Sequence, residues 1–271
     1  MGILNVTPDS FSDGGRYFDA GTAVRHALVM RAAGADILDV GGESTRPGAR
    51  PVSAGEELDR VLPVIEALTQ SPEFVEAPLP ISIDTRKAEV ADVALRKGCT
   101  MINDVSAASD PEMAGVLRDH AAVPIVLMHM KGEPTTMQES PRYDDVVREV
   151  SDFLSARAES IAGAGVERDR IVIDPGIGFG KRFRDNLELL NRVDSFQGLG
   201  YPVLIGASRK RFLGELLEAG SDDRLPGSLA VAAHCYRAGV DIIRVHDVAE
   251  TTGLLKVLDA LAHPEDCEAD W

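Results

Sequence analysis

The chain has 271 residues but only three cysteines, Cys99, Cys235 and Cys267. That odd number lacks the close pairing of a zinc or redox site, so neither a disulfide framework nor a cysteine-held metal is expected. A reducing, cytoplasmic setting is the simplest reading of such sparse thiols. No apolar run approaches the roughly 18 residues of a membrane span, which argues against a membrane partner. The opening residues show no basic segment followed by an apolar stretch, so no signal peptide is expected. Basic residues are also in short supply: 28 Lys and Arg stand against 44 Asp and Glu, a formal charge of −16. That balance disfavours nucleic acid as a partner while leaving room for a local basic pocket. The six histidines contain no H-x-H or H-E-x-x-H pair, so zinc sites of those types are not indicated. No internal repeat, low-complexity run or composition shift marks a second domain.

What is present reads as one large folded unit, with 44% hydrophobic and 27% charged residues. Short runs rich in Val and Ile, at residues 2–6, 36–40, 81–83, 101–102, 125–128, 171–173, 203–205 and 242–245, are candidate strands. Longer amphipathic stretches lie between them, among them 20–33, 54–69, 87–97, 143–162, 228–238 and 249–262. Gly34, Gly98, Gly165 and Gly239 each precede a strand, where glycine suits the left-handed residue that closes a helix. Eight strands alternating with about eight helices predict a single-domain (β/α)₈ barrel over residues 1–263, followed by an acidic tail at 264–271. A doubly wound open sheet is the structural rival.

Polar residues follow every candidate strand. Asn5 ends the first, GGESTR at 41–46 follows the second, and Asp84 ends the third. Asn103-Asp104, His129, Asp174, Ser208-Arg209-Lys210 and His246-Asp247 complete the series. In a parallel barrel all strand C-termini open on one face, so these distant clusters converge into a polar pocket. Any single member can instead be a turn former or helix cap, a reading that applies especially to Asp104 and Asp247.

Within this set, GIGFGK at 176–181 resembles a phosphate loop, but its spacing is one residue short and Arg182 replaces the needed Ser or Thr. A glycine loop that brings backbone close to a flat ligand fits better, with Phe179 serving either as a ring face or as a core residue. Lys and Arg near strand ends (Arg46, Arg209, Lys210 and Arg244) suit an anionic substrate. Arg211 reads as a solvated helix residue. Asp84 and Asp174 would pair with the donor-rich edge of a heterocycle, because carboxylates only accept. The Gly-rich segments at 7–15 and 45–48 read as active-site loops.

Eight ordered blocks carry a resemblance to a known family: MGILNVTPDSFSDGG at 1–15, DVGGESTRPG at 39–48, ISIDT at 81–85, INDV at 102–105, LMHM at 127–130, DPGIGFGK at 174–181, GASRK at 206–210 and RVHDV at 244–248. Together they resemble dihydropteroate synthase, a pterin-binding barrel. The resemblance implies joining of 6-hydroxymethyl-7,8-dihydropterin diphosphate to p-aminobenzoate, giving 7,8-dihydropteroate and diphosphate in folate biosynthesis, with sulfonamides competing for the arylamine site. It implies that Asp84, Asn103, Asp174 and Lys210 surround the pterin, with Met128 packed beside it. It places Asn5, Arg244 and His246 on the diphosphate, Asn5 also ligating Mg²⁺. It assigns Thr45, Arg46, Pro47, Phe179 and Lys210 to p-aminobenzoate, and Phe11 and Asp13 to loop closure. It also implies a homodimer. Ile177 stands where many members carry Phe, and Arg211 where Ser often follows. A catalytically silent pterin-binding paralogue is the alternative.

Overall fold

The computed structural model describes residues 1–7, 20–45, 48–133, 136–137, 141–220 and 223–266. Eight parallel strands run through it: β1 (Gly2–Asn5), β2 (Leu38–Gly41), β3 (Ile81–Asp84), β4 (Met101–Asp104), β5 (Ile125–Met128), β6 (Ile171–Asp174), β7 (Leu204–Ile205) and β8 (Ile242–Ile243). The first six pair in chain order as one sheet, and β7 pairs with β8. Parallel bridges Ile173↔Val203 and Gly2↔Val245 join the two sheets at both seams. At the second seam Ile3 N donates to Val245 O at 2.9 Å and Val245 N to Met1 O at 2.9 Å. The ring is therefore closed, and the open-sheet rival is set aside.

Among the described residues eleven helices surround it: α1 (Ala20–Ala32), α2 (Ala54–Gln70), α3 (Pro72–Glu76), α4 (Ala88–Arg96), α5 (Met113–Asp119), α6 (Val146–Gly163), α7 (Phe183–Asn191), α8 (Val193–Gln197), α9 (Arg211–Leu217), α10 (Leu225–Arg237) and α11 (Val248–Ala262). Local sequence starts several of them. Ser53 and Glu56 form a reciprocal capping box at α2, and Asp145 caps α6 by accepting from Arg148 N at 3.0 Å. Gly34, Gly98, Gly165 and Gly239 all take positive φ, as their positions predicted. The stretch from Pro264 to Asp266, at the start of the expected acidic tail, forms a short 3₁₀ turn.

Strand alternation divides the interior into two apolar regions. Leu4, Leu38, Val40, Ile83, Ile102, Leu127 and Ile173 point outward and pack in one core with helix residues such as Val61, Ile65, Leu154 and Leu189. Met1, Met101, Val126, Val172 and Leu204 point into the barrel and form a second, smaller cluster with Ile37 and Ile242. This inner cluster fills the N-terminal end of the barrel. Two residues beyond Ile37, Met101, Val172 and Ile242 the chain turns polar, at Asp39, Asn103, Asp174 and Arg244. That change of character, at a spacing fixed by the pleat, places a site at the C-terminal face.

Candidate active site

A guanidinium shared by two carboxylates lies at the centre of the polar ring. Arg244 Nε donates to Asp39 Oδ2 at 2.6 Å, and Arg244 Nη2 donates to Asp84 Oδ2 at 2.7 Å. Asn103 Nδ2 reaches the same Asp39 oxygen at 2.9 Å. Burial, reinforced by Asp39, pushes the Asp84 carboxyl up to about 7 against the attraction of Arg244. Asp174 accepts from Gly176 N at 2.7 Å, and burial raises it to about 6 despite that bond and Lys210. Four groups that sequence reasoning assigned to one pocket, Asp84, Asn103, Asp174 and Arg244, thus meet in the barrel mouth. The geometry puts Arg244 directly on an expected pterin-reading carboxylate. Asp39 had appeared only as the first letter of a motif. Its signal was available, since a charged residue at an inward strand position calls for a buried partner.

The glycine loop after β6 is docked on the end of β5. A Cβ at Gly176 would lie 1.9 Å from His129 O, and one at Gly180 would lie 2.2 Å from Lys131 O. Both glycines also have positive φ, so no other residue fits either place. The buried amine of Lys181 closes this seam. It donates to Phe179 O at 3.0 Å and His129 O at 3.2 Å, and meets His129 Nδ1 at 2.9 Å. Burial holds Lys181 down to about 7 and His129 down to about 3, so the imidazole is neutral and accepts through Nδ1. His129 also sits edge-on to Phe153, with ring centroids 4.9 Å apart. It therefore supports the loop from behind and does not line the pocket, as its place at a strand end had suggested. Phe179, for which ring face and core were both open, offers its ring: Lys210 Nζ stands 3.9 Å from the centroid.

The β7 and β8 ends supply the remaining polar groups. His246 N donates to Ser208 Oγ at 3.2 Å, and His246 Nδ1 lies 3.1 Å from the same oxygen. Burial and the neighbouring Arg244 hold His246 down to about 4, so it is a neutral hydrogen-bonding group near pH 7. Arg209 pairs with Asp247 through Nε–Oδ2 at 3.0 Å. It is thereby turned from the anion-binding task its strand-end position suggested. Arg211 is exposed and paired with Glu215, as expected. Asp104 is a turn former, accepting from Ser106 N at 2.7 Å and Ala108 N at 3.0 Å. Met128 is buried at the end of β5, one strand over from Asn103.

The base of the loop after β2 is pinned by charge. Glu43 accepts from Lys87 Nζ at 2.7 Å, Arg86 Nη2 at 3.3 Å and Val52 N at 3.3 Å. Lys87 also reaches the fully buried Glu57 at 2.5 Å. Sequence reasoning missed this network because its members lie on three elements with no shared motif. Thr45 is half-buried beside it. Arg46, Pro47, Phe11 and Asp13, four of the expected site residues, lie outside the described residues.

A closed parallel barrel with a buried, mixed-charge pocket at its strand C-termini defines a small-molecule enzyme of the barrel class. Residues 1–246 match the family model described as pterin binding enzyme. The dihydropteroate synthase of Escherichia coli (strain K12) is 48% identical over 262 residues, covering 96% of this chain and 90% of that protein. A structure of Xanthomonas albilineans dihydropteroate synthase with 4-aminobenzoic acid superposes with a TM-score of 0.88 at 46% identity, covering 96% of this chain and 92% of that one. A Yersinia pestis dihydropteroate synthase in a sulfonamide drug complex gives 0.89 at 42% identity, covering 96% and 93%. The chain belongs to the pterin-binding enzymes and, among them, to the dihydropteroate synthase family. It is a transferase of folate biosynthesis, and nothing in these likenesses favours the silent paralogue.

Proposed function

We propose that the pocket joins 6-hydroxymethyl-7,8-dihydropterin diphosphate to p-aminobenzoate by dissociative substitution at the pterin methylene carbon. The observation that carries this reading is the gathering of Asp84, Asn103 and Asp174 at one mouth beside the half-buried guanidinium of Arg244, which bonds Asp84 directly and meets Asn103 through Asp39. The three acceptors read the donor edge of the pterin, Met128 packs against it, and Lys210 flanks it. Arg244, with the N–H of a neutral His246, takes the diphosphate. The C–O bond to diphosphate breaks first, and its electron pair leaves with the phosphate oxygen. The cation left on the methylene is spread into the pterin and faces the Asp84 and Asp174 carboxylates. The p-aminobenzoate amine is neutral near pH 7, so its lone pair forms the C–N bond without a strong base, and its proton passes to diphosphate or water. Phe179 and Lys210, with Thr45, Arg46 and Pro47, hold the arylamine, and Phe11 and Asp13 close the site. Ordering both substrates supplies the proximity contribution.

The donor set fits Mg²⁺ held chiefly by substrate. Among the described residues no group of three His, Cys, Asp or Glu could hold a metal by itself. Asn5, partly exposed at the end of β1, offers one amide oxygen, and Mg²⁺ commonly takes one or two protein ligands alongside phosphate oxygens and water. When bound, the ion would neutralise charge growing on the leaving diphosphate. The family resemblance further supports a homodimer, which sedimentation would test. Buried free thiols at Cys99 and Cys235 suit a cytoplasmic location, and no helix among the described residues is long and apolar enough to cross a membrane.

The test is diphosphate release with Mg²⁺ and pterin diphosphate, with and without p-aminobenzoate, alongside chromatographic detection of dihydropteroate. Amine-dependent product is the expected result. Pterin binding without product would contradict the reading, as would a covalent enzyme intermediate.

A further inference from the structure

We propose that Asp39 is a positioning residue that fixes the hydrogen-bonding sense of the pterin pocket. The inference rests on the reading that Asn103 faces the pterin edge. Asp39 is fully buried on β2, one layer below the pocket, where Ile37 two residues earlier is apolar. A charge buried so deeply is costly, and an apolar residue of similar volume would serve the barrel at least as well. Its contacts explain its presence. A carboxylate only accepts, so Asn103 must turn its Nδ2 toward Asp39 Oδ2, at 2.9 Å. The amide's oxygen then points the other way, and Asn103 presents an acceptor, matching the carboxylates of Asp84 and Asp174.

The same Asp39 oxygen takes Arg244 Nε at 2.6 Å, which aims Nη2 at Asp84, 2.7 Å away. One buried oxygen thereby sets the orientation of two groups in the pocket. The other, Asp39 Oδ1, has no hydrogen-bond partner among the described residues, so the carboxylate is not there to satisfy a wider structural network. Without Asp39 the amide is free to rotate. A rotated Asn103 would set N–H groups against the N–H groups of the ligand, leaving buried donors unsatisfied.

The experiment titrates 6-hydroxymethylpterin, which lacks the diphosphate, into folded variants checked by thermal melting. Asp39→Ala should weaken binding by about 10–100-fold, the scale for an unsatisfied buried polar group. The KM for p-aminobenzoate should stay within about threefold, because no arylamine contact is touched. Asp39→Asn, whose amide oxygen can still accept from both partners, should bind within about threefold of the unaltered protein. The decisive variant is the double Asp39→Ala/Asn103→Asp. A carboxylate at 103 is an acceptor in either rotamer, so pterin affinity should return to within about fivefold. Unchanged binding in Asp39→Ala, or a folded double variant that stays weak, would overturn the proposal. Should Asp39→Ala not fold, the unaltered protein still tests the acceptor edge that Asp39 is proposed to set. An analogue with an oxo group in place of the 2-amino donor should bind at least about tenfold more weakly, and equal binding would overturn the assignment. If Asn103→Leu leaves pterin affinity intact, the pocket assignment itself fails, independently of Asp39.

Discussion

The two ends of the barrel interior are built by the same strands and differ in almost every physical respect. On β4, Met101 and Asn103 both point inward, two residues apart, and the same holds for Val172 and Asp174 on β6. The lower member of each pair packs in the apolar cluster at the N-terminal end. The upper member stands at the mouth, where burial raises the Asp84 and Asp174 carboxyls and where Arg244 bonds both Asp84 and Asp39. The lower end gains free energy from apolar area removed from water, and the upper end gives some of it up by holding charge out of water. The lesson is a division of labour at a spacing of about 7 Å along a strand. Stability is concentrated below and chemistry above.

This division can be tested from both sides. The largest effect is expected at the mouth. Arg244→Ala should cost on the order of 10²–10³ in kcat/KM, the scale for losing a preorganised electrostatic group, and wild-type kinetics would remove it from the site. At the floor, Met101→Ala should destabilise the protein by about 2–5 kcal/mol in denaturant titration while leaving kcat/KM within about twofold. A large kinetic defect in the folded variant would blur the boundary between the two ends.

A subtler test uses the raised carboxyl at Asp174. Its folded value of about 6 lies above the ordinary 3.8, so the folded state holds the proton more tightly than the unfolded one. Its contribution to stability is present below about pH 4 and is lost as pH rises through about 6. Asp174→Asn removes that titration. The variant should therefore melt higher than the wild type at pH 7, by up to about 3 kcal/mol of stability, with the gap closing toward pH 4. An inactive but stabilised protein is what a strained site implies. A gap independent of pH would contradict it. The smallest effect is expected outside the barrel: Arg211→Ala, at an exposed helix pair with Glu215, should shift stability by no more than about 0.5 kcal/mol.

The sequence made this architecture readable to the extent that the signals are local. Val- and Ile-rich runs marked all eight strands, and polar residues at their ends marked the mouth. Boundaries moved by at most two residues, in part because Asp84, Asn103 and Asp174 complete their strands rather than follow them. At β7 and β8 the ladder shortens to two residues, and the expected ends serve instead in the closing bridges at Val203 and Val245. The short helices α3, α5, α8 and α9 span only five to seven residues, too few turns for a clear amphipathic period.

In the site, Asp84, Asn103, Asp174, Lys210, Arg244 and His246 could be named because each ends or follows a strand. Asp39 carries a signal of its own, a charge at an inward strand position, but its partners and those of Lys181 come together only when distant strands and loops meet. The same reason hid the neutral state of His129 and the diversion of Arg209 to Asp247.

The most direct test of the divided barrel compares two substitutions on one strand, Val172→Ala and Asp174→Asn, with dihydropteroate formation and denaturant unfolding measured on both. The account predicts that Val172→Ala lowers stability and leaves kcat/KM within about twofold. It predicts that Asp174→Asn lowers kcat/KM by about 10²-fold or more without loss of stability at pH 7. Equal kinetic defects in the two folded variants, or wild-type turnover in Asp174→Asn, would contradict it.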